Sequence, residues 1–133
     1  MRVDGACHCG AITFEAEVDP ETVRICHCTD CQRTSGSLFR ANIQAPAEGF
    51  RLLRGTPKTY VKTADSGTKR AQAFCADCGT SLWSAAPADT MSYVLRVGVL
   101  AQRASFKPTV QIWCRSALPW TAEVAGLPAR DGQ

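Results

Sequence analysis

The 133-residue sequence predicts a mainly β fold. Short apolar, β-branched or aromatic runs recur about every eight to twelve residues between turn formers. No window carries a sustained 3.6-residue apolar stripe, so helices are expected only as one or two short turns. The length is that of one domain, taken as residues 1–125. Residues 126–133 are small and polar and are expected to fray as a flexible tail.

The elements follow in order. Residues 11–18 alternate imperfectly and stop at the Asp19-Pro20 turn, and Val23-Arg24-Ile25 leads into a cysteine group. The segment from Thr29 to Ser35 is the one place with helical character, and Gly36 stops it. Residues 38–45 form a strand closed by Pro46, and 50–53 another closed by Gly55. Residues 59–62 and 71–74 pair as a hairpin about Ser66-Gly67, followed by 81–83, 92–100 and 110–113.

Composition narrows the function. Hydrophobic residues at 45% and charged residues at 20% exclude a disordered chain. A net charge of +3 is too weak to demand a nucleic-acid partner, and no basic stripe with interleaved aromatics is present. No apolar run approaches the ~18 residues of a membrane span, and the polar start lacks a secretory pattern. The expected compartment is therefore reducing and cytoplasmic, where clustered cysteines mean metal or catalysis rather than disulfides.

Seven of the eight cysteines form three groups: Cys7 and Cys9; Cys26, Cys28 and Cys31; Cys75 and Cys78. Thiolates two or three residues apart can converge on one ion at about 2.3 Å. Cys75-Ala76-Asp77-Cys78-Gly79 reads as half of a zinc site. Cys7 and Cys9, on one side of an N-terminal strand, complete four ligands if the fold brings the start of the chain to the middle. Cys26, Cys28 and Cys31 offer three thiolates, the protein-ligand count of a catalytic zinc with an exchangeable fourth position. Two alternatives stand beside it: His27 closes the site, or water or a distant group completes a purely structural one. His8 is read as a side chain on the face opposite its neighbours. Cys114 is read as a small hydrophobe in the last strand. Arg24, Arg33, Arg40, Arg51 and Arg54 are read as solvated, with Arg33 the one placed to meet an anionic substrate.

Together these residues resemble the glutathione-dependent formaldehyde-activating family, also called the centromere-protein-V-like domain. The resemblance runs from Gly5-Ala6-Cys7-His8-Cys9-Gly10 to about Trp120. It is carried by Cys26-His27-Cys28-Thr29-Asp30-Cys31-Gln32-Arg33-Thr34-Ser35-Gly36 and Phe74-Cys75-Ala76-Asp77-Cys78-Gly79. It implies a β-tent of antiparallel sheets around a structural zinc on Cys7, Cys9, Cys75 and Cys78. It also implies a second zinc on Cys26, Cys28 and Cys31, which can be partly occupied. The implied activity is that of a carbon–sulfur lyase joining a small thiol such as glutathione to a small aldehyde, as in S-(hydroxymethyl)glutathione. The chain departs from the family pattern at Ala101, where Asp commonly follows the Gly98-Val99-Leu100 segment, and at Gln111, where His is frequent.

The implied chemistry has a physical basis. Metal coordination deprotonates a thiol whose ordinary pKa is near 8.5. A thiol entering the open position of the Cys26, Cys28 and Cys31 site would add to a nearby carbonyl as its thiolate, or leave from the adduct. The rivals are a non-enzymatic zinc-stabilised binding module of the same fold and a thiol-based reductase with Cys114 as nucleophile.

Overall fold

The computed structural model describes residues 1–133 and is mainly β. Its strands are β1 (Arg2–Ala6), β2 (Thr13–Glu17), β3 (Arg24–Cys26), β4 (Arg40–Pro46), β5 (Phe50–Arg54), β6 (Lys58–Thr63), β7 (Lys69–Phe74), β8 (Ser81–Ala85), β9 (Ser92–Arg96) and β10 (Val110–Ile112). One α-helix, α1 (Thr29–Ser35), follows β3, and short 3₁₀ turns fill several connections. The strands form a three-stranded sheet, β1-β2-β5, and a seven-stranded sheet, β10-β3-β4-β9-β8-β7-β6. No helix is long and apolar enough to cross a membrane.

The core lies between the two sheets. Val3, Phe14 and Ala16 from the small sheet meet Ile43, Ala73, Trp83 and Leu95 from the large one. Aromatic rings lock the contact: Phe14 meets Trp83 edge-on at 5.2 Å, and Phe50 stacks on Tyr93 at 4.0 Å. Every strand pair is antiparallel except β10 with β3, which is parallel. A parallel neighbour needs a long crossover, which the segment between β9 and β10 supplies. Thr109 guides it in, donating from its N–H to Val23 O at 2.9 Å and from its hydroxyl to the Glu21 and Val23 carbonyls.

Three local expectations need correction. The strand expected over 92–100 ends at Arg96, where a 3₁₀ turn, Val97–Val99, begins. This turn delivers the buried Leu100 to a bridge with Gly5, and the Ala101 N–H donates to Asp4 O at 2.8 Å. The N-terminal strand stops at Ala6, short of the first cysteines, so Cys7 and Cys9 meet through a turn and not by strand alternation. Cys114 is exposed at the start of a 3₁₀ turn, Cys114–Ser116. Trp113, with φ of 57°, swings the chain out of β10 just before it.

Candidate metal centres

The first and third cysteine groups sit in two similar turns. In one, Cys7 N–H donates to Ile12 O at 3.0 Å and Gly10 N–H to Cys7 O at 3.1 Å; in the other, Cys75 N–H donates to Thr80 O at 2.9 Å and Gly79 N–H to Cys75 O at 2.8 Å. Gly10 and Gly79 close these turns with φ of 79° and 76°, a region that strains a side-chain-bearing residue. The Ile12 N–H points at Cys7 Sγ from 3.2 Å, and Thr80 links the two turns, accepting from His8 N–H while its hydroxyl meets Cys78 Sγ, both at 3.1 Å.

The turns bring the Sγ atoms of Cys7, Cys9, Cys75 and Cys78 all within 4.8 Å of one another. Cys7 and Cys9 are 3.6 Å apart and Cys9 and Cys75 3.8 Å. A tetrahedron of sulfurs about 2.3 Å from zinc has edges of about 3.8 Å, whereas a disulfide needs about 2.05 Å. The donor set therefore fits a tetrathiolate ion.

Cys26, Cys28 and Cys31 form a second group within the same 4.8 Å limit. Cys26 ends β3, Cys28 caps α1, and Cys31 lies in the first helical turn, its N–H donating to Cys28 Sγ at 3.2 Å. Gly36 ends the helix in the left-handed conformation, so α1 spans the expected residues. His27 is not among the converging donors. It is buried, its Nε2 lies 2.8 Å from Gln111 Oε1, and its ring meets the edge of Phe39. Gln111 thus anchors the His27 ring outside the thiol cluster. His8 is exposed and also stands outside its neighbouring cluster.

The thiols within each group perturb one another. The hydrogen bond from Cys31 lowers Cys26 to about 5 against the opposing effect of burial, with help from Cys28 and the Arg40 charge. The same bond and burial push Cys31 up. In the other group the Ala11 N–H favours the Cys9 thiolate, but the neighbouring thiols, Cys7 foremost, raise Cys9 to about 12. Zinc uptake at pH 7 is therefore expected to release at least one proton at each cluster, from Cys9 and from Cys31, and to tighten as pH rises. Calorimetry in two buffers of different ionisation enthalpy measures this, and a buffer-independent heat would contradict it.

Cys26 and Cys31 open on a cavity of about 230 Å³ on the face of the large sheet away from the core, lined by Arg24, Arg40, Arg70 and Arg96. Arg40 is buried, not solvated, and Arg33 is exposed and does not line the cavity. The available signal was the repeated pairing of arginine with a polar residue or cysteine two positions on: Arg24 and Cys26, Arg40 and Asn42, Arg70 and Gln72.

Comparisons with known proteins agree with these observations. The family model described as glutathione-dependent formaldehyde-activating enzyme matches residues 2–116. A Halomonas elongata protein named "putative glutathione-dependent formaldehyde-activating enzyme" is 30% identical over 88 residues, covering 62% of this chain and 55% of that protein. The match thus spans about half the length of that relative. A crystal structure of a Rhodobacter sphaeroides protein shares the fold with a TM-score of 0.62 at 23% identity, over 81% of this chain and 98% of the other.

Proposed function

Because the chain belongs to the glutathione-dependent formaldehyde-activating enzyme family, we propose that it is a zinc-dependent carbon–sulfur lyase, making or breaking the adduct of a small thiol with a small aldehyde. Glutathione and formaldehyde are the pair the family name implies. The observation that carries this reading is the difference between the two clusters. One gathers four thiols, a closed set, whereas the other gathers three beside an open cavity. In this reading Cys7, Cys9, Cys75 and Cys78 hold a structural ion, and Cys26, Cys28 and Cys31 hold the reactive one. Residues 1–125 form the domain, and 126–133 are the tail.

Zinc at the second cluster would supply the Lewis acidity that keeps an incoming thiol in its thiolate form at neutral pH. The rest falls to the chain. Cys26, already lowered to about 5 by its hydrogen bond with Cys31, arrives ionised as a ligand. The capped first turn of α1 fixes Cys28 and Cys31 relative to it. Gln32 ties the helix to its surroundings, donating from Nε2 to the His27 and Ser116 carbonyls, both at 2.9 Å. Arg40 keeps a positive charge beside the cluster, held by Thr34 and Gln72. The S–C bond forms between the thiol sulfur and the carbonyl carbon, and the thiol proton ends on the new hydroxyl oxygen. Cleavage reverses these transfers.

Graded chelation of the zinc-loaded protein tests the reading. A mild chelator is expected to remove one equivalent first, abolishing thiol-dependent adduct formation while the far-ultraviolet circular dichroism stays unchanged. Activity that survives loss of this equivalent would contradict it. Cys114→Ser is expected to leave the rate unaltered, since Cys114 is exposed and outside both clusters. Loss of activity in that variant would favour the thiol-reductase reading.

A further inference from the structure

The cavity beside Cys26 and Cys31 is more basic than coordination by thiols requires. Strand alternation and pairing place its arginines on one face: Cys26 pairs with Arg40, and Asn42 pairs with Arg24 on one side and Arg96 on the other. Asp30 is the one carboxylate in the lining, and it is engaged by Lys62. The arginines lean on neutral acceptors. Arg96 donates to Asn42 Oδ1 and Gln72 Oε1, both at 2.7 Å, Arg70 to Ser84 Oγ at 3.4 Å, and Arg40 to Thr34 Oγ1 and Gln72 Oε1. Arg40 and Arg96 are only 7% and 6% exposed, and the Nε of each is buried without a partner.

A buried charge without a counter-ion is costly, so a cluster of this kind calls for an anion. Three thiolates around a divalent ion would carry a net −1, too little to neutralise four guanidiniums. Burial, then the neighbouring Arg40 charge, draws Arg96 down to about 9, and burial with the Arg24 charge lowers Arg70. The neutral acceptors fix the arginines in place and leave their charge uncompensated, an arrangement suited to bidentate capture of an oxyanion.

We propose that Arg24, Arg70 and Arg96 form a subsite for a compact oxyanion beside the three-cysteine cluster, filled in the reaction by a carboxylate of the thiol substrate. The substrate class is thus an acidic thiol, and this assignment of the occupant rests on the lyase reading above. The cavity of about 230 Å³ suits one such group at the sheet face, its thiol reaching toward Cys26 and Cys31.

The test uses the zinc-loaded 133-residue chain and four probes: 3-mercaptopropionate, neutral 2-mercaptoethanol, propionate and inorganic phosphate, with affinities read by calorimetry. The charged thiol is expected to bind about tenfold or more tighter than the neutral one, as charge-assisted hydrogen bonds to a carboxylate allow. Arg70→Gln should erase this preference, as should Arg24→Gln, a second partly exposed position should the first variant fold poorly. Equal affinity for the two thiols in the parent protein overturns the subsite, as does a preference that survives both variants. Phosphate binding tighter than propionate overturns the carboxylate assignment. Propionate and 3-mercaptopropionate binding equally well, both through Arg70, in a protein without thiol-dependent adduct formation upholds the anion subsite while removing the lyase reading, so the two failures are distinguishable.

Discussion

Cys75→Ser is expected to leave a chain that does not fold cooperatively at 37 °C. Cys75 is 1% exposed, at the junction between β7 and the four-cysteine cluster. Apart from core packing, the small sheet is joined to the rest by few polar links: the Gly5 and Leu100 bridge, the Ala101 to Asp4 hydrogen bond, and the paired contacts of Asp4 with Gln102. A tetrathiolate ion would staple the turn after β1 to the turn after β7. Structural zinc contributes about 10–16 kcal/mol of apparent binding energy in zinc-finger peptides, against about 5–15 kcal/mol of stability for a whole domain. Loss of one ligand is therefore expected to remove most of the fold's margin. Cys9→Ser separates this effect from the burial of a hydroxyl, because Cys9 is exposed, and it should be nearly as damaging. Thermal unfolding with zinc analysis checks both variants, and a midpoint within a few degrees of the parent would contradict the staple.

Cys28→Ser is expected to do the opposite, keeping the fold and losing the reaction. Cys28 caps α1, and serine is among the preferred capping residues, so the N–H of Cys31 keeps an acceptor. The side chain is half-buried and outside the core between the sheets, so the thermal midpoint should move by only a few degrees. Replacing groups that merely orient metal ligands lowers metal affinity or activity by about 10–100-fold, so replacing a ligand should lower thiol-dependent turnover by about a hundredfold or more. Rates with excess zinc and saturating thiol measure this, and undiminished turnover would remove the catalytic assignment of this cluster.

Much of this architecture could be read from the chain because local signals agreed with the final fold. α1 with its stop at Gly36 and the hairpin of β6 and β7 follow from spacing and turn chemistry, whereas the convergence of the first and third cysteine groups depends on the fold returning the start of the chain to its middle. β1 was harder to delimit, since Gly5 stands where alternation would call for an apolar side chain. A Cβ there would lie 2.1 Å from Phe14 Cζ, so the position must stay bare to admit the ring. The parallel placement of β10 and the exposure of Cys114 depend on the path of the chain between β9 and β10, which has no periodic signature. The arginine face was hidden for a different reason. Each arginine alone reads as a solvated strand residue, and only the pairing of β3, β4 and β9, with β7 two strands further on, shows that they share a cavity.

The three-cysteine cluster is expected to accelerate exchange between a thiol, an aldehyde and their adduct. The most direct measurement is carbon-13 exchange spectroscopy on labelled formaldehyde at equilibrium with glutathione, with and without zinc-loaded protein. Exchange between free and adducted formaldehyde is expected to be several-fold faster with the parent protein, and with Cys28→Ser no faster than in buffer alone. Equal exchange rates with and without the parent protein, at full zinc occupancy of both clusters, would contradict it.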